Sequence, residues 1–196
     1  MAIANQKIGE ATSRLPADWI ANTNDKYGGL SFKFTNTGVA NGSFQPSNGN
    51  IEVGVCPYSP GKEFGGVTGL ESTLLHEITH GAQNSTPDIR ALEMGFFNAR
   101  ASGKITNIGT DKGRGACYVD KDDFANPYSG RNYTDRSSTE GVAKEISTTG
   151  VEGLLNPAAT GVDLETSHQT FKGDTDYQNV MTGMILLSGN RGSTAS

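Results

Sequence analysis

Histidine and cysteine are scarce in this chain of 196 residues, which contains three histidines and two cysteines. The cysteines, Cys56 and Cys117, are too far apart to form the closely spaced pairs of a cysteine-rich metal site. In a chain without an export signal, free buried thiols are expected rather than a disulfide. Two of the three histidines, in contrast, lie within one short segment at His76 and His80.

The sequence also lacks long apolar runs and an excess of basic residues. No run approaches the roughly 20 apolar residues of a membrane span. Residues 1–7 lack the apolar core of a secretory signal, and the initial Met1 adds to the expectation that no leader has been removed. With 16 Lys and Arg against 21 Asp and Glu, the formal charge of −5 gives no electrostatic footprint for nucleic acid. We therefore expect neither a nucleic-acid nor a membrane partner.

Length and residue patterns predict one α+β domain. The chain can bury a substantial core, and we expect a single domain over residues 1–188 with a flexible tail at 189–196. Residues 1–48 are polar and rich in Gly, Asn and Ser, which predicts an irregular, β-rich part. Alternating apolar residues predict strands at 30–34 and 51–55. Residues 101–135 show little periodicity and are predicted to form a long excursion.

Four helices are predicted from apolar residues at helical spacing. The first spans about residues 70–81, and the second follows Pro87. The third begins near Ser137, where Ser137 and Glu140 have the spacing of a capping box, and ends at Pro157. The last spans about 177–187 and is capped by Asp174 or Thr175. The predicted buried faces are Leu70, Leu74 and Ile78; Ile89, Leu92 and Phe96; Val142, Ile146, Gly150 and Leu154; and Val180, Met184 and Leu187.

The segment from His76 to His80 has the form His-Glu-x-x-His. Side chains four residues apart lie on one face of a helix, so both imidazoles can reach one metal ion. Glu77 lies close enough to take a proton from a water on that metal, as in the HExxH zinc hydrolases. Only three positions are fixed, so the pattern also arises by chance on surface helices. The helical setting and the concentration of histidine favour a metal site.

A catalytic zinc site takes three protein ligands and leaves a fourth position for water. The extended HExxH motif with a third histidine is excluded, because Thr86 occupies that position. The subclass with an aspartate ligand is disfavoured. It expects a downstream run of the form Gly-Thr-x-Asp, and residues 109–111 read Gly-Thr-Asp without the intervening residue. The remaining candidates are a glutamate on a later helix and His168.

Glu145 is the preferred third ligand. Its neighbour Ile146 belongs to the predicted apolar stripe, which places Glu145 at the border of the buried face. Glu140 is the main rival, but its expected role is capping, and five residues turn a helix by about 140°, so both cannot face one point. His168 lies in a polar stretch and is expected to be exposed.

Residues 126–133 (NPYSGRNY), 144–152 (KEISTTGVE) and 174–183 resemble the zincin-like domain of tailed-phage structural and head-morphogenesis proteins. The resemblance covers about residues 50–188, although Lys144 replaces the usual threonine before the glutamate. It implies a small mixed or antiparallel sheet with an HExxH helix and two or three further helices, and Glu145 as third ligand. It also implies a location in the phage virion, or in the host cytoplasm during assembly.

The expected function is a zinc-dependent peptide hydrolase with a gluzincin-type HExxH…E site. His76, His80 and Glu145 would hold Zn²⁺, and Glu77 would act as general base. Tyr133 and Tyr128 are candidates to stabilise the tetrahedral oxyanion, and Tyr133 is preferred. The alternative is that each tyrosine only packs in a loop.

The expected partners are a peptide substrate, which could pair with the strand at 51–55 if that strand lies at a sheet edge, and other virion proteins. The alternative is a structural virion component, associated with tail or capsid, whose metal only stabilises the fold or whose activity is vestigial. The intact Glu77 argues against complete loss of activity. A host-directed toxin, the remaining alternative, lacks any translocation or receptor-binding signature.

Overall fold

The protein is a mixed α+β structure in which helices surround two small sheets. The computed structural model describes residues 2–35, 41–54, 67–111, 115–119, 124–125, 127–134, 138–155, 171 and 173–189. The helices of these residues are α1 (Ala2–Arg14), α2 (Ala17–Tyr27), α3 (Val67–Ser85), α4 (Pro87–Arg100), α5 (Glu145–Leu155) and α6 (Thr175–Gly189). Their strands are β1 (Ser31–Thr35), β2 (Asn41–Gln45), β3 (Asn50–Gly54), β4 (Thr106–Asp111), β5 (Gly115–Val119) and β6 (Arg131–Asn132). None of the helices in these ranges is long and apolar enough to cross a membrane.

The first part of the chain is helical, so the predicted irregular, β-rich character of residues 1–48 is wrong for α1 and α2. Both helices pack on α3. Their core contribution is small, chiefly Ala11 of α1 and Trp19 of α2, both 0% exposed, together with Leu15 between the two helices, which is 6% exposed. So few buried apolar residues on two polar helices produce little hydrophobic periodicity in the sequence. The strand predicted at 30–34 is confirmed as β1.

The first sheet has the order β1-β3-β2, with β3 parallel to β1 and antiparallel to β2. The strand predicted at 51–55 is confirmed as β3, and Ile51 and Val53 are fully buried. The condition for substrate pairing with this strand, a place at a sheet edge, is not met, because β3 is paired on both sides. The strand that lies at an edge and contacts α3 is β2.

The helix α3 lies at the centre of the molecule, in contact with α1, α2, α4, α5 and the first sheet. The predicted helix is confirmed and is longer than expected. Leu74, Leu75 and Ile78 are fully buried, as are most neighbouring positions of the helix. This burial on several sides places the middle of α3, with His76 and Glu77, in the interior.

The buried faces of α4 and α6 differ from the predicted ones. In α4 the buried residues are Ile89, Glu93 and Phe97, whereas Leu92 is 45% exposed. The buried face of α4 is therefore shifted by one position from the predicted apolar stripe. It includes the carboxylate of Glu93, and a search for apolar residues at helical spacing does not detect a buried carboxylate.

In α6 the capping residue is Asp174, as predicted, because Asp174 Oδ1 accepts a bond of 3.0 Å from the amide of Tyr177. The core face is Tyr177, Met181 and Met184. Leu187 is 65% exposed, so its predicted burial is wrong, and Val180 is only half-buried.

The region after α4 contains a second sheet instead of the predicted excursion at 101–135. Its order is β4-β5-β6, with antiparallel pairing throughout. The free thiol of Cys117 is buried on β5, as expected, whereas Cys56 lies outside the described residues.

The third predicted helix begins later than expected. A short 3-10 turn at Thr139–Gly141 is followed by Ala143, whose φ of 60° lies in the left-handed region and interrupts the helix. The helix α5 starts at Glu145, so the predicted start near Ser137 is wrong. The predicted capping box rests on Ser137 and the side chain of Glu140, which lie outside the described residues. Ile146 and Gly150 are buried as predicted. Ser137, Pro157 and the tail after Gly189 lie outside the described residues.

Candidate metal centre

Two packed helices bring the predicted ligands together. His76, on the buried side of α3, is 2% exposed, and the His80 side chain one turn later is 13% exposed. Glu145 is the first residue of α5, which packs against α3, and it is fully buried. The late start of α5 therefore directs this glutamate into the interior, instead of leaving it at the predicted border of the buried face.

The three side chains converge on one point. Glu145 Oε2 lies 3.1 Å from Nε2 of His76 and 3.7 Å from Nε2 of His80. One ligand atom from each residue lies within 4.8 Å of the others, so the group could hold a metal ion. Ligand atoms at about 2.1 Å from a tetrahedral metal are separated by about 3.4 Å, and the two observed separations bracket that value. Two imidazoles with one carboxylate suit a divalent first-row ion.

The other ring nitrogen of His76 is held by a carboxylate. Its Nδ1 lies 2.5 Å from Glu152 Oε1, and Ser72 Oγ donates a bond of 2.5 Å to Glu152 Oε2. A carboxylate behind a ligating histidine fixes the ring and raises its basicity as a ligand. Sequence reasoning missed both residues. Helical spacing could have indicated them, because Glu152 lies two turns after Glu145 and Ser72 lies one turn before His76, each on the same helix face as the predicted ligand.

The corresponding nitrogen of His80 is held by an amide. Its Nδ1 lies 2.8 Å from Oε1 of Gln83, one turn later on α3. Gln83 is 2% exposed, so this contact is shielded from water. Both histidines therefore have Nδ1 engaged and present Nε2 to Glu145.

Charges within the group shift two pKa values in opposite directions. Burial alone raises the pKa of Glu145, but the charge of His80 and the hydrogen bonds from His76 and Tyr133 hold it well below its usual range. Burial alone lowers the pKa of His76, but the carboxylates of Glu152 and Glu145 raise it well above its ordinary value. Without a metal, a protonated His76 is thus stabilised between two carboxylates.

Glu77 is buried between α3 and the edge strand β2. It is 3% exposed. A Cβ at Gly42 of β2 would lie 2.5 Å from Glu77 Oε1 and 2.6 Å from its Cγ. The absence of a side chain at Gly42 therefore allows the strand to approach the glutamate of the motif.

Two tyrosines and an arginine lie close to the group. The Tyr133 hydroxyl donates a bond of 2.5 Å to Glu145 Oε1. The ring of Tyr128 is 6.2 Å from that of His76, and burial together with the charge of Glu145 raises the pKa of Tyr128 well above its ordinary value. The Arg131 guanidinium lies 5.0 Å from the ring centre of Tyr133 and 5.2 Å from that of Tyr128. Arg131 was not anticipated from the sequence.

A cleft of about 580 Å³ opens beside the ligand group. It lies between β2 and the segment that leads into α5. Its lining includes Ser43, Phe44, Gln45, His80, Tyr133 and Lys144. One histidine of the group is thus accessible from a space large enough for a segment of polypeptide.

The side chain of the rival ligand Glu140 and the whole of His168 lie outside the described residues. Comparison with protein-family models, curated proteins and solved structures gives no match to this chain. The function must therefore be inferred from the site itself.

Proposed function

We propose that the protein is a zinc-dependent peptide hydrolase in which His76, His80 and Glu145 hold the metal. The observation that carries this proposal is the convergence of Nε2 of both histidines on Glu145 Oε2 beside an open cleft. A zinc ion held there supplies Lewis-acid chemistry, polarising the scissile carbonyl and making water more acidic.

The number of ligands favours a catalytic site over a structural one. Structural zinc is typically closed by four Cys or His side chains. Among the described residues, the group contains two histidines and one carboxylate. Glu77 has no role in a purely structural site, yet it lies next to a ligand on the same helix.

Glu77 is the proposed general base. Its carboxylate would take a proton from the attacking water and deliver it to the leaving amine. Burial between α3 and β2 restricts its motion and keeps the carboxylate away from bulk water. This confinement would hold the base in place through both proton transfers.

The edge strand β2 is the proposed docking element for the substrate. It pairs with β3 on one side, and its residues Ser43, Phe44 and Gln45 line the cleft. An extended peptide could add to such an edge through main-chain hydrogen bonds. We propose this role for β2, because β3, the strand considered from the sequence on the condition that it lay at an edge, is central in the sheet.

Tyr133 is the proposed stabiliser of the oxyanion. Its hydroxyl lies at the ligand group and its side chain also lines the cleft. A hydroxyl donor placed where negative charge develops lowers the barrier of acyl transfer. The nearby Arg131 guanidinium adds positive charge at the same side.

The proposed setting is a phage particle, or the host cytoplasm during its assembly, with other virion proteins as partners. Its support is the resemblance of residues 126–133 and 144–152 to zincin-like phage domains. The rival role is a virion component in which the metal only stabilises the fold.

Replacing Glu77 by Gln tests the proposed reaction. We expect Glu77→Gln to retain zinc but to lose about 10²- to 10⁴-fold in peptide hydrolysis, the range that general acid–base catalysis contributes. Activity would be measured on a library of quenched fluorescent peptides, and bound zinc by mass spectrometry. The control is Glu52→Gln, which removes a partly exposed carboxylate of β3 paired with Lys33.

Undiminished hydrolysis by Glu77→Gln would contradict the role of the base. Zinc-loaded wild type that cleaves none of the peptides would favour the structural role.

A further inference from the structure

A buried polar cluster lies behind His80, on the side away from Glu145. It consists of Gln83, Glu93, Ser147 and Arg90, and we call it the amide cluster. Gln83, Glu93 and Ser147 are 2%, 0% and 0% exposed. A fully buried carboxylate is costly unless charge and hydrogen bonds compensate for it, so its presence calls for a physical explanation.

The contacts of Gln83 fix the orientation of its amide. Its Nε2 lies 2.6 Å from Glu93 Oε1 and 2.6 Å from the backbone carbonyl of Lys144. The carbonyl of Lys144 can only accept hydrogen bonds, and Glu93 Oε1 also accepts from the amide and hydroxyl of Ser147, so the NH₂ group must face these two oxygens. The amide oxygen is then left to face Nδ1 of His80, at 2.8 Å.

This orientation determines the tautomer of His80. Since the amide oxygen of Gln83 can only accept, the proton of the neutral imidazole must reside on Nδ1. The lone pair is then on Nε2, the atom that faces Glu145. The opposite tautomer would present a proton, and no lone pair, to a metal.

Glu93 is itself held from two sides. Arg90 Nη1 donates a bond of 2.6 Å to Glu93 Oε2, and Arg90 Nη2 donates one of 2.8 Å to the carbonyl of Val142. The amide and the hydroxyl of Ser147 both donate to Glu93 Oε1, the amide at 3.1 Å. Burial raises the pKa of Glu93, while the charge of Arg90 and the bonds from Ser147, Arg90 and Gln83 oppose that rise. The same bonds fix the carboxyl group so that Oε1 points at Gln83.

We propose that Glu93 is a positioning residue of the metal centre, which orients Gln83 so that His80 presents the lone pair of Nε2 to the metal. The inference rests on the metal centre of the proposed function and not on peptide hydrolysis. It makes the two histidines different, because a carboxylate contacts His76 directly but acts on His80 only through an amide.

Zinc affinity, measured by competition with a chelator, tests this role without any substrate. Gln83→Met removes the acceptor of His80, and the double variant Arg90→Met/Glu93→Met removes the buried ion pair together. Replacing both partners of such a pair by apolar residues of similar size is often tolerated. Each variant is expected to weaken zinc binding 10- to 100-fold, as is typical for residues behind a metal ligand.

The combination of these variants separates positioning from general stabilisation. If Glu93 acts through Gln83, adding Arg90→Met/Glu93→Met to Gln83→Met causes no further loss of affinity. Ile89→Val, a cavity-forming change on the same buried face of α4, is the matched control. It should lower the melting temperature and leave zinc affinity unchanged.

The ¹⁵N NMR spectrum of the zinc-bound imidazoles supplies a second readout. We expect His80 to carry a proton on Nδ1 in the wild type, with the shift of that nitrogen altered in both the Gln83 and Glu93 variants but not in Ile89→Val. Should the double variant not fold, Glu93→Met alone replaces it, since Arg90 keeps the carbonyls of Val142 and Thr139 as acceptors.

The inference is overturned if the Glu93 variants bind zinc with wild-type affinity. It is also overturned if adding the Glu93 substitution to Gln83→Met weakens zinc binding by as much as it does in the wild type. A wild type that binds zinc without cleaving peptides overturns only the proposed reaction. A wild type that binds no zinc overturns both.

Discussion

Individual residues hold the two histidines of α3 in unlike ways. His76 contacts the anionic Glu152, whereas His80 contacts the neutral amide of Gln83. A carboxylate partner makes an imidazole a stronger ligand, because it stabilises positive charge on the ring. We therefore expect His76 to contribute more to metal affinity than His80.

Removal of the carboxylate behind His76 tests the contribution of Glu152 to metal binding. Glu152→Gln should weaken zinc binding by about 10- to 100-fold while the fold is retained. The measurement is chelator competition at neutral pH. Glu71→Gln is the control, because Glu71 is a comparably buried carboxylate on α3 that pairs with Lys7 and Arg14 away from the site. Equal affinities of the two variants would contradict the account.

The residues of the proposed metal centre could be predicted from the sequence, but the residues that contact them were missed. His76, His80 and the proposed base Glu77 follow from one local motif, and Glu145 was preferred because of its neighbour Ile146. Gln83, Glu93 and Arg131 act through contacts between distant segments, which no local pattern encodes. Polar residues at buried positions are the ones that hydrophobic periodicity discards.

Among the elements, β2 approaches α3 closely at Gly42. A Cβ at Gly42 would lie 2.6 Å from Glu77 Cγ and 2.7 Å from Thr73 Cγ2, both on the buried side of α3. The strand can therefore reach Glu77 only with glycine at this position.

A methyl group at Gly42 should force β2 and Glu77 apart. We expect Gly42→Ala to lower the free energy of unfolding by about 1–3 kcal/mol, as overpacking typically does, and to reduce peptide hydrolysis. Urea denaturation and the peptide assay measure the two effects. Gly95→Ala is the matched control, because a Cβ at this position of α4 meets nothing within 4 Å. It should stabilise the protein by about 0.5–1 kcal/mol, and the same response from Gly42→Ala would refute the packing argument.

The elements that the sequence failed to predict lack an apolar pattern of their own. The helices α1 and α2 are polar with few buried residues, and they are stabilised by packing on α3. The strand β4 has the sequence TNIGTD, and its one large apolar residue, Ile108, is 55% exposed. Such a strand is defined by its pairing with β5 and not by its own residues.

In the whole molecule, we expect metal binding and folding to be coupled through His76. The raised pKa of His76 means that its protonated form stabilises the metal-free fold at pH values below its unfolded pKa of about 6.5. This contribution is lost as the pH rises through the higher folded pKa. A metal needs the neutral imidazole, so protons compete with zinc most strongly at low pH.

The increase in melting temperature caused by zinc should therefore grow between about pH 6 and pH 8. At higher pH the metal-free protein loses the stabilisation from protonated His76 and the metal meets less competition. Thermal denaturation with and without saturating zinc measures the difference. Magnesium, which prefers oxygen ligands, is the control and should have little effect. A zinc-induced shift that is independent of pH, or larger at pH 6, would contradict the linkage.

The metal content of purified protein tests the central claim most directly, with wild type compared to Glu145→Ala and Glu140→Ala. The account predicts about one zinc per chain in wild type, the complement of a single three-ligand site. It also predicts retention of zinc in Glu140→Ala and loss in Glu145→Ala. Zinc retained in Glu145→Ala at the wild-type level, or lost in Glu140→Ala instead, would contradict the assignment of His76, His80 and Glu145 as the metal centre.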